Sequence, residues 1–343
     1  MFLQTIELIV GAIIALAVLL DVFATVVVPG RVRISVGIPS FVRAAALPAW
    51  RCIFGLFTRQ RPIRIPSSFC GFLLLCVFIA WICTLTLGLG LMVHGARDQF
   101  QPHIRSFADA LFQTGGAMMT LGLNGEQARG FARLIVVACG LCGLQVVTLT
   151  LTYIVQLQMA LQQRDPLVIR LASVAGKPAS PVRVLLTQKR LGLDGELASM
   201  FSRWEEWAAY VQHAHKSHPI LAYFRSDEAH GDWVTALGAV ADTAVLTIVA
   251  VDDPHKGHAE LLLDAGTKTA RQLCQLLGLE ACEAWQLSQA TVANATRQLA
   301  EAGFPLTPDA ASAERINAMR APYAASIKAL AQHFGVEEPV WEA

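Results

Sequence analysis

The amino-acid sequence predicts an all-α membrane protein with a re-entrant loop in the bilayer and a helical domain outside it. Three apolar runs reach the roughly 20 residues that a membrane-spanning helix needs, and they cover residues 8–28, 69–93 and 134–157. Between the second and third runs, residues 105–125 read as a short helix followed by a Thr-x-Gly-x loop. Residues 180–343 show helical periodicity and almost no strand alternation.

Basic residues predict how the chain crosses the membrane, because Lys and Arg accumulate in short loops on the cytoplasmic side. The loop after the first run has no acidic residue and carries arginines at positions 31, 33, 43, 51, 59, 61 and 64. A second basic cluster follows the third run, at Arg164, Arg170, Lys177, Arg183, Lys189 and Arg190. Both clusters are predicted to be cytoplasmic, with the amino terminus and residues 94–133 outside. The first run is predicted to be a retained helix, because no basic residue precedes it and no signal-cleavage pattern follows it.

Three regions are predicted along the chain. Residues 1–67 form an amino-terminal transmembrane helix with a basic interfacial segment, residues 68–164 a membrane-embedded core, and residues 165–343 a helical cytoplasmic domain. Asp165-Pro166 is predicted to end the third membrane helix, because the residue before a proline avoids helical backbone. Breaker residues in the last region predict helices over 181–191, 195–216, 231–251, 258–278, 281–302 and 309–334.

Two acidic residues lie inside apolar runs. Asp242 is near the centre of 233–251, a run apolar enough to suggest a fourth span, but a carboxylate there is costly in lipid. This run is therefore predicted to be a buried helix of the soluble bundle. Asp21 in the first run is predicted to reach the inner interface or to pair with Arg31 or Arg33.

Composition argues against several other classes of protein. The net charge of +1, without a basic face interleaved with aromatic residues, predicts no nucleic-acid partner. The cysteines, including the C-x-x-C pair Cys139 and Cys142, are predicted to pack as free thiols. No nucleophile–base pattern or metal-ligand motif is present, so we expect no enzyme activity, no cofactor and no bound metal. His213, His215 and His218 point to different sides of a helix and are predicted to be solvated.

The loop region has the features of an ion pore. Ser106 and Asp109 have the spacing of a capping box, which predicts a helix that begins there and ends near Met119. The carboxyl end of this helix carries partial negative charge and is predicted to point toward the membrane centre, which favours a cation. Thr120 to Leu123 are expected to follow as extended backbone whose carbonyl oxygens replace water around that ion.

Residues 69–160 resemble the potassium-channel pore-loop superfamily, whose filter motif is T-V-G-Y-G-D. Thr120, Leu121 and Gly122 match its first three positions, with Leu for Val, while Leu123 and Asn124 stand where Tyr and Gly are usual. The resemblance implies a homotetramer in the bacterial inner membrane and in contact with the lipid bilayer, with potassium or another monovalent cation as the permeant ion. It also implies a filter formed by Thr120 to Asn124, with the first apolar run as an additional helix outside the pore core.

The departures from the motif have physical consequences. Leu123 lacks the hydroxyl group by which the family's Tyr braces the filter, whereas Asn124 is the non-glycine residue that best tolerates a positive φ. We therefore expect weak ion selectivity, or conduction in a minor state only. Gly140 and Gly143 lie where family members often carry a gating hinge, but small residues also allow membrane helices to approach closely, and both interpretations stay open.

Two other classes remain as alternatives. A non-conducting membrane sensor or scaffold could have kept the pore-loop architecture, and the replacements at Leu123 and Asn124 favour it. A transporter subunit is expected to show more spans or a repeat with polar midplane residues, and the sequence has neither. His94 and His103 flank the predicted outer mouth and are candidates for proton sensitivity.

Overall fold

The computed structural model describes residues 2–27, the positions 37, 38, 41, 42 and 45, and residues 68–122, 127–224, 231–253, 256–280 and 282–341. The described part is mainly helical, as predicted. Its helices are α1 (Phe2–Val26), α2 (Ser68–Gly95), α3 (Phe107–Met118), α4 (Ala132–Ala175), α5 (Pro181–Arg190), α6 (Leu197–Ser217), α7 (Trp233–Ala250), α8 (Lys256–Leu277), α9 (Gln289–Glu301) and α10 (Ala313–Phe334). Short strands β1 (Phe100–Gln101) and β2 (Gln127–Ala128) pair antiparallel, and 3₁₀ turns cover Arg97–Gln99, Asp194–Glu196 and Pro219–Tyr223.

Four of the described helices are long and apolar enough to cross a membrane: α1, the part of α2 from Gly71, α4 and α7. In the first three, only 28%, 39% and 22% of the apolar window is buried, so most of each window is at least partly exposed, as expected for helices that face lipid. All eighteen residues of α7 are buried by protein. The protein is therefore a membrane-embedded all-α protein, and α7 has the surroundings of a core helix, in agreement with the sequence prediction.

The described residues form two compact units, of which the first ends at Leu157 and the second begins at Gln158. In the first unit, α1 packs antiparallel against α2 at glycine contacts. A Cβ atom added to Gly11 would lie 2.4 Å from the carbonyl oxygen of Gly88. The two backbones can therefore approach this closely only because residue 11 has no side chain. Asp21 accepts a hydrogen bond of 2.7 Å from Nε1 of Trp81, a partner that sequence analysis did not identify. Arg31 and Arg33 lie outside the described residues.

The second unit surrounds α7 with α5, α6, α8 and α10. Two predicted helix starts in this unit are too early. Residues 282–288 are not helical, and the side-chain amide of Asn317 binds both the N–H and the C=O of Leu287, which competes with helical hydrogen bonds there. Ser288 and Ser312 then cap α9 and α10, each accepting a backbone N–H three residues later.

The predicted end of the third membrane helix at Asp165-Pro166 is wrong, because α4 continues through Pro166 to Ala175. Proline removes one backbone donor and normally kinks or ends a helix. Here the residues beside it are held by other contacts. Arg164 is fully buried and donates to the carbonyl oxygens of Leu221 (3.1 Å) and Phe224 (2.7 Å), and its own carbonyl accepts the indole N–H of Trp207.

Candidate functional site

The helix α3 begins at the predicted capping box. The Ser106 hydroxyl oxygen accepts the Asp109 N–H at 3.1 Å, and the Asp109 carboxylate accepts the Ser106 N–H at 3.0 Å. Two backbone donors that helix geometry leaves free are thereby satisfied. The helix ends at Met118, close to the predicted position.

Packing places the two ends of α3 at different depths. Near its start, Leu111 lies against Gly90 of α2, close to the end of that helix. At its other end, Met118 and Ala117 lie against Gly143 and Gly140, which are near the middle of the apolar run 134–157 of α4. The carboxyl end of α3 therefore lies near half the depth of the spanning segment of α4.

The backbone after α3 turns sharply before it extends. Thr120 has φ 57°, the left-handed conformation, and its N–H bonds to the Ala117 carbonyl at 3.2 Å. The Leu121 N–H bonds to the Gly116 carbonyl at 2.9 Å. These two bonds form a Schellman motif, whose left-handed position is usually glycine. The prediction of extended backbone is thus wrong at Thr120, because the residue completes the helix cap.

A β-branched residue in the left-handed region is an outlier that is strained by about 1–3 kcal/mol, and such strain concentrates at functional sites. Gly122 follows with φ 92°, a conformation that glycine adopts freely. Leu121 is largely exposed (79%), although it is a large apolar residue. Leu123 and Asn124, the other predicted filter residues, lie outside the described residues.

Gly143 has a packing role that the sequence left open. A Cβ atom there would lie 2.3 Å from the Met118 carbonyl oxygen and 2.8 Å from its Cα, so no side chain fits while α3 keeps its position. A Cβ atom at Gly140 would lie 3.5 Å from the Ala117 carbonyl oxygen, an ordinary contact. The helix α4 is continuous through both glycines, the predicted hinge positions.

A polar stripe runs along the exposed side of α4, formed by Gln145, Thr148, Thr152 and Gln156. Their spacing of three or four residues keeps them within an arc of about 80° over a length of about 17 Å. The Thr152 hydroxyl donates to the Thr148 carbonyl oxygen at 3.0 Å, but the Gln145 and Gln156 amides are not buried by the protein, and lipid offers them no hydrogen-bond partner. Two amides on the open side of a spanning segment therefore indicate contact with water or with another polar surface.

Sequence analysis missed the first three members of this stripe, Gln145, Thr148 and Thr152. The spacing of residues 145, 148, 152 and 156 was the available signal. It was obscured by the β-branched and apolar residues between them, and it became clear only when exposure was known for each side chain.

The prediction that His213, His215 and His218 are solvated is wrong for His215. His213 is exposed, whereas His215 is fully buried and its Nδ1 lies 2.7 Å from the Val211 carbonyl oxygen. Burial, with the positive charge of Arg164 nearby, lowers the pKa of His215 to about 3. Within the described residues, no group of three His, Cys, Asp or Glu side chains is placed to hold a metal ion.

Comparisons of this chain with protein-family models, with characterised proteins and with solved structures found no match. The function of the protein is therefore inferred from its own residues and their geometry.

Proposed function

We propose that this protein is a subunit of a cation channel, in which the loop after α3 forms part of a backbone-carbonyl filter. Potassium or another monovalent cation is the proposed permeant ion, and four copies surround the pathway. The observation that carries the proposal is the position of α3, whose carboxyl end packs against Gly143 near half depth of the spanning segment of α4. A helix that ends inside the bilayer and continues as irregular backbone is tolerated only where protein or water surrounds that backbone.

The polar stripe supports an aqueous pathway next to the loop. It begins at Gln145, two residues after Gly143, and continues toward Gln156. In the proposed channel it lines the cavity through which ions reach the filter. Residues 134–163 contain no charged side chain, so the cavity wall would offer neutral oxygen and amide groups. Neutral groups allow a hydrated cation to enter without holding it tightly.

The electrostatics of the loop favour a cation over an anion. The carboxyl end of a helix carries partial negative charge, and α3 has no basic residue in its last turn to neutralise it. Carbonyl oxygens suit hard cations such as the alkali metals.

Four copies are proposed because one loop supplies one side of an ion's coordination shell. Closed cyclic symmetry brings identical loops around one axis, as in the potassium channels that the sequence resembles. Exposed apolar residues near the loop, Phe112 and Leu121, are available for contacts between copies. The orientation with residues 94–133 outside and residues 165–343 in the cytoplasm of a bacterial inner-membrane protein is part of the same proposal.

Ion flux through proteoliposomes of the purified protein tests this proposal. We expect potassium flux in the wild type, and a loss of about tenfold or more in Thr152→Trp, because an indole on the stripe narrows the pathway. Leu151→Trp is the matched control, since Leu151 is exposed apolar surface one residue away. Flux that is unchanged in Thr152→Trp, or lost equally in both variants, contradicts the assignment of the stripe.

A non-conducting sensor or scaffold is the second candidate, and one observation favours it. The turned backbone at Thr120 departs from the extended carbonyl row of a filter. Absence of both potassium and sodium flux, from protein that shows cooperative thermal unfolding, would support this candidate over a channel.

A further inference from the structure

Three side chains from different elements meet at the end of α2. The Glu7 carboxylate of α1 lies 3.0 Å from His94 Nδ1 and 3.1 Å from Arg97 Nη1. The same Arg97 nitrogen donates to the His94 carbonyl oxygen at 3.0 Å and lies 3.5 Å from His94 Nδ1. The distribution of basic residues predicts that this end of α2 faces outward.

The position of His94 Nδ1 makes this cluster sensitive to protonation. The nitrogen has an acceptor, Glu7, on one side and a donor, Arg97, on the other. Because the Glu7 carboxylate only accepts, the 3.0 Å contact places the proton of a neutral imidazole on Nδ1, and protonation at Nε2 turns this neutral donor into a cation. An imidazolium carries a proton on both nitrogens, so Nδ1 donates to Glu7 and faces Arg97 as a like charge. Binding of a proton therefore strengthens the contact with α1 and weakens the hold on Arg97.

An aromatic ring and a second acidic residue also belong to this region. The edge of Phe107, the first residue of α3, packs against the His94 ring with ring centroids 5.8 Å apart. Asp98, the residue after Arg97, accepts a hydrogen bond of 2.6 Å from the Gln4 amide of α1. Histidine is the side chain whose charge ordinarily changes between about pH 5 and 8.

A continuous set of contacts leads from Arg97 to the segment after the loop. Arg97 begins the 3₁₀ turn Arg97–Gln99, which continues directly into β1. The Gln99 carbonyl accepts the Arg129 N–H at 2.8 Å, and its side-chain oxygen accepts the Ala132 N–H at 3.0 Å. Since β1 also pairs with β2, a displacement of Arg97 is transmitted to residues 127–132, at the far end of the loop from α3.

We propose that Glu7, His94 and Arg97 form a proton-binding switch that acts on residues 127–132. When His94 is protonated, its imidazolium becomes the principal partner of the Glu7 carboxylate, and Arg97 is released. Release of Arg97 loosens the 3₁₀ turn Arg97–Gln99 and the β1–β2 pair. The effect of this switch on ion conduction rests on the proposed channel function, whereas the existence of the switch does not.

The switch is tested first without any measurement of conduction. Amide hydrogen exchange of residues 127–132 is compared between the wild type and His94→Gln at the same pH, so that the intrinsic pH dependence of exchange cancels. At about pH 5.5 we expect exchange about threefold faster in the wild type, and at about pH 8 no difference, because histidine side chains ordinarily change charge between about pH 5 and 8. His103→Gln is the control, since His103 is an exposed histidine of the same region.

Glu7→Gln identifies the partner, because it removes the negative charge that receives the imidazolium. Exchange of residues 127–132 is compared between Glu7→Gln and the double variant Glu7→Gln/His94→Gln at about pH 5.5. When Glu7 is already replaced by Gln, we expect His94→Gln to change the exchange rate of residues 127–132 by less than about half of the change that it causes in the wild-type background. Equal exchange in the wild type and His94→Gln at both pH values overturns the switch. The switch is also overturned if His103→Gln changes the exchange as much as His94→Gln does.

Potassium flux with the outer pH lowered from about 8 to 5.5 links the switch to conduction. We expect flux to fall about threefold in the wild type and in His103→Gln, and to change little in His94→Gln, because the loop loses its support only when His94 is charged. Exchange that depends on pH, without any flux in the wild type, means that the switch exists and the proposed channel function is wrong. Flux that is independent of pH, in protein whose exchange depends on pH, shows that the switch does not control conduction.

Discussion

His215 and Arg164 show how single residues in the second unit depend on one another. The His215 ring packs against Trp233 with centroids 4.7 Å apart and a tilt of 40°, and the Arg164 guanidinium lies 5.8 Å from the same indole. An imidazolium at His215 would be buried beside a fixed positive charge. The histidine is therefore kept neutral, which agrees with its lowered pKa of about 3.

Stability should fall in acid because of this residue. The unfolded chain takes up a proton near pH 6.5, whereas folded His215, with its pKa of about 3, does so only in strong acid. Its contribution is present above about pH 6.5 and is lost as the pH falls toward 3, by at most about 1.4 kcal/mol per pH unit. We expect His215→Phe to lose less stability than the wild type between about pH 6.5 and 4.5 in thermal unfolding.

His213→Phe is the control for this prediction, because His213 is on the same helix but exposed. Its acid sensitivity should equal that of the wild type. An unchanged acid slope in His215→Phe would mean that other groups cause the loss of stability.

Sequence reasoning succeeded for single residues where the interaction was local. The capping box of Ser106 and Asp109 spans three positions, and the sequence contained both partners. The hydrogen bond between Asp21 and Trp81 joins residues 60 positions apart, so it depends on how α1 packs on α2. The burial of His215 also depends on distant residues, and no local pattern distinguishes it from exposed His213.

At the scale of elements, the contact of α3 with α4 determines where the loop lies. Two glycines face the carboxyl end of α3, but one of them fits far more closely than the other. If the glycines act in packing, replacement by alanine should be harmful at position 143 and tolerated at position 140. If they act as hinges, the same replacement should have equal effects at both positions.

Gly143→Ala should displace α3, because its methyl group would meet the Met118 backbone. We expect destabilisation of about 1–3 kcal/mol, the range for overpacking, together with loss of potassium flux. Gly140→Ala is the matched control, and it should be neutral or stabilise the helix by up to about 1 kcal/mol. Thermal unfolding in detergent and flux measure both effects. If the two variants lose flux equally without loss of stability, the glycines act as hinges.

The course of α4 through Pro166 shows a limit of local rules for elements. Proline predicted an end to the helix, and the local tendency is real. The buried contacts of Arg164 with residues 207, 221 and 224 outweigh it. These partners follow 43 to 60 residues later, so they could not be inferred from the sequence around the proline.

At the scale of the whole molecule, the carboxylate of Asp242 organises the second unit. It accepts hydrogen bonds from Arg320 Nε (2.8 Å), Trp341 Nε1 (2.9 Å) and the Tyr323 hydroxyl. Burial alone would lower the pKa of Arg320, but the Asp242 charge and hydrogen bond raise it, so the ion pair persists. Burial also raises the pKa of Tyr323, as expected for a neutral donor beside the carboxylate.

Removal of this carboxylate should be severe. Asp242→Leu leaves Arg320 buried without its counter-charge, for which we expect a loss of about 3–5 kcal/mol in unfolding free energy. The double variant Asp242→Leu/Arg320→Met should recover part of that loss, because no unpaired charge remains. Glu301→Gln in the exposed pair with Arg297 is the control, with an expected change below about 0.5 kcal/mol. Denaturant unfolding measures all four proteins, and a small loss in Asp242→Leu would contradict the role of the network.

Hydropathy was sufficient to predict a membrane-embedded, mainly helical protein, because the apolar runs are long and nearly free of charge. It was not sufficient to separate α7 from a spanning helix, since α7 is also long and apolar enough to cross a membrane. Asp242 was the informative residue. Its three partners could not be named in advance, because they come from residues 78 to 99 positions away.

The order of synthesis gives Asp242 a second role. The ribosome completes α7 before Arg320, Tyr323 and Trp341 exist, and Trp341 follows Asp242 by 99 residues. At roughly 5–20 residues per second, α7 waits about 5 to 20 seconds for the last of these partners. During that interval α7 is complete, is long and apolar enough to span a bilayer, and is not yet packed by these partners. A single carboxylate at its centre opposes its insertion, and so helps to keep α7 available for the bundle until its partners are made.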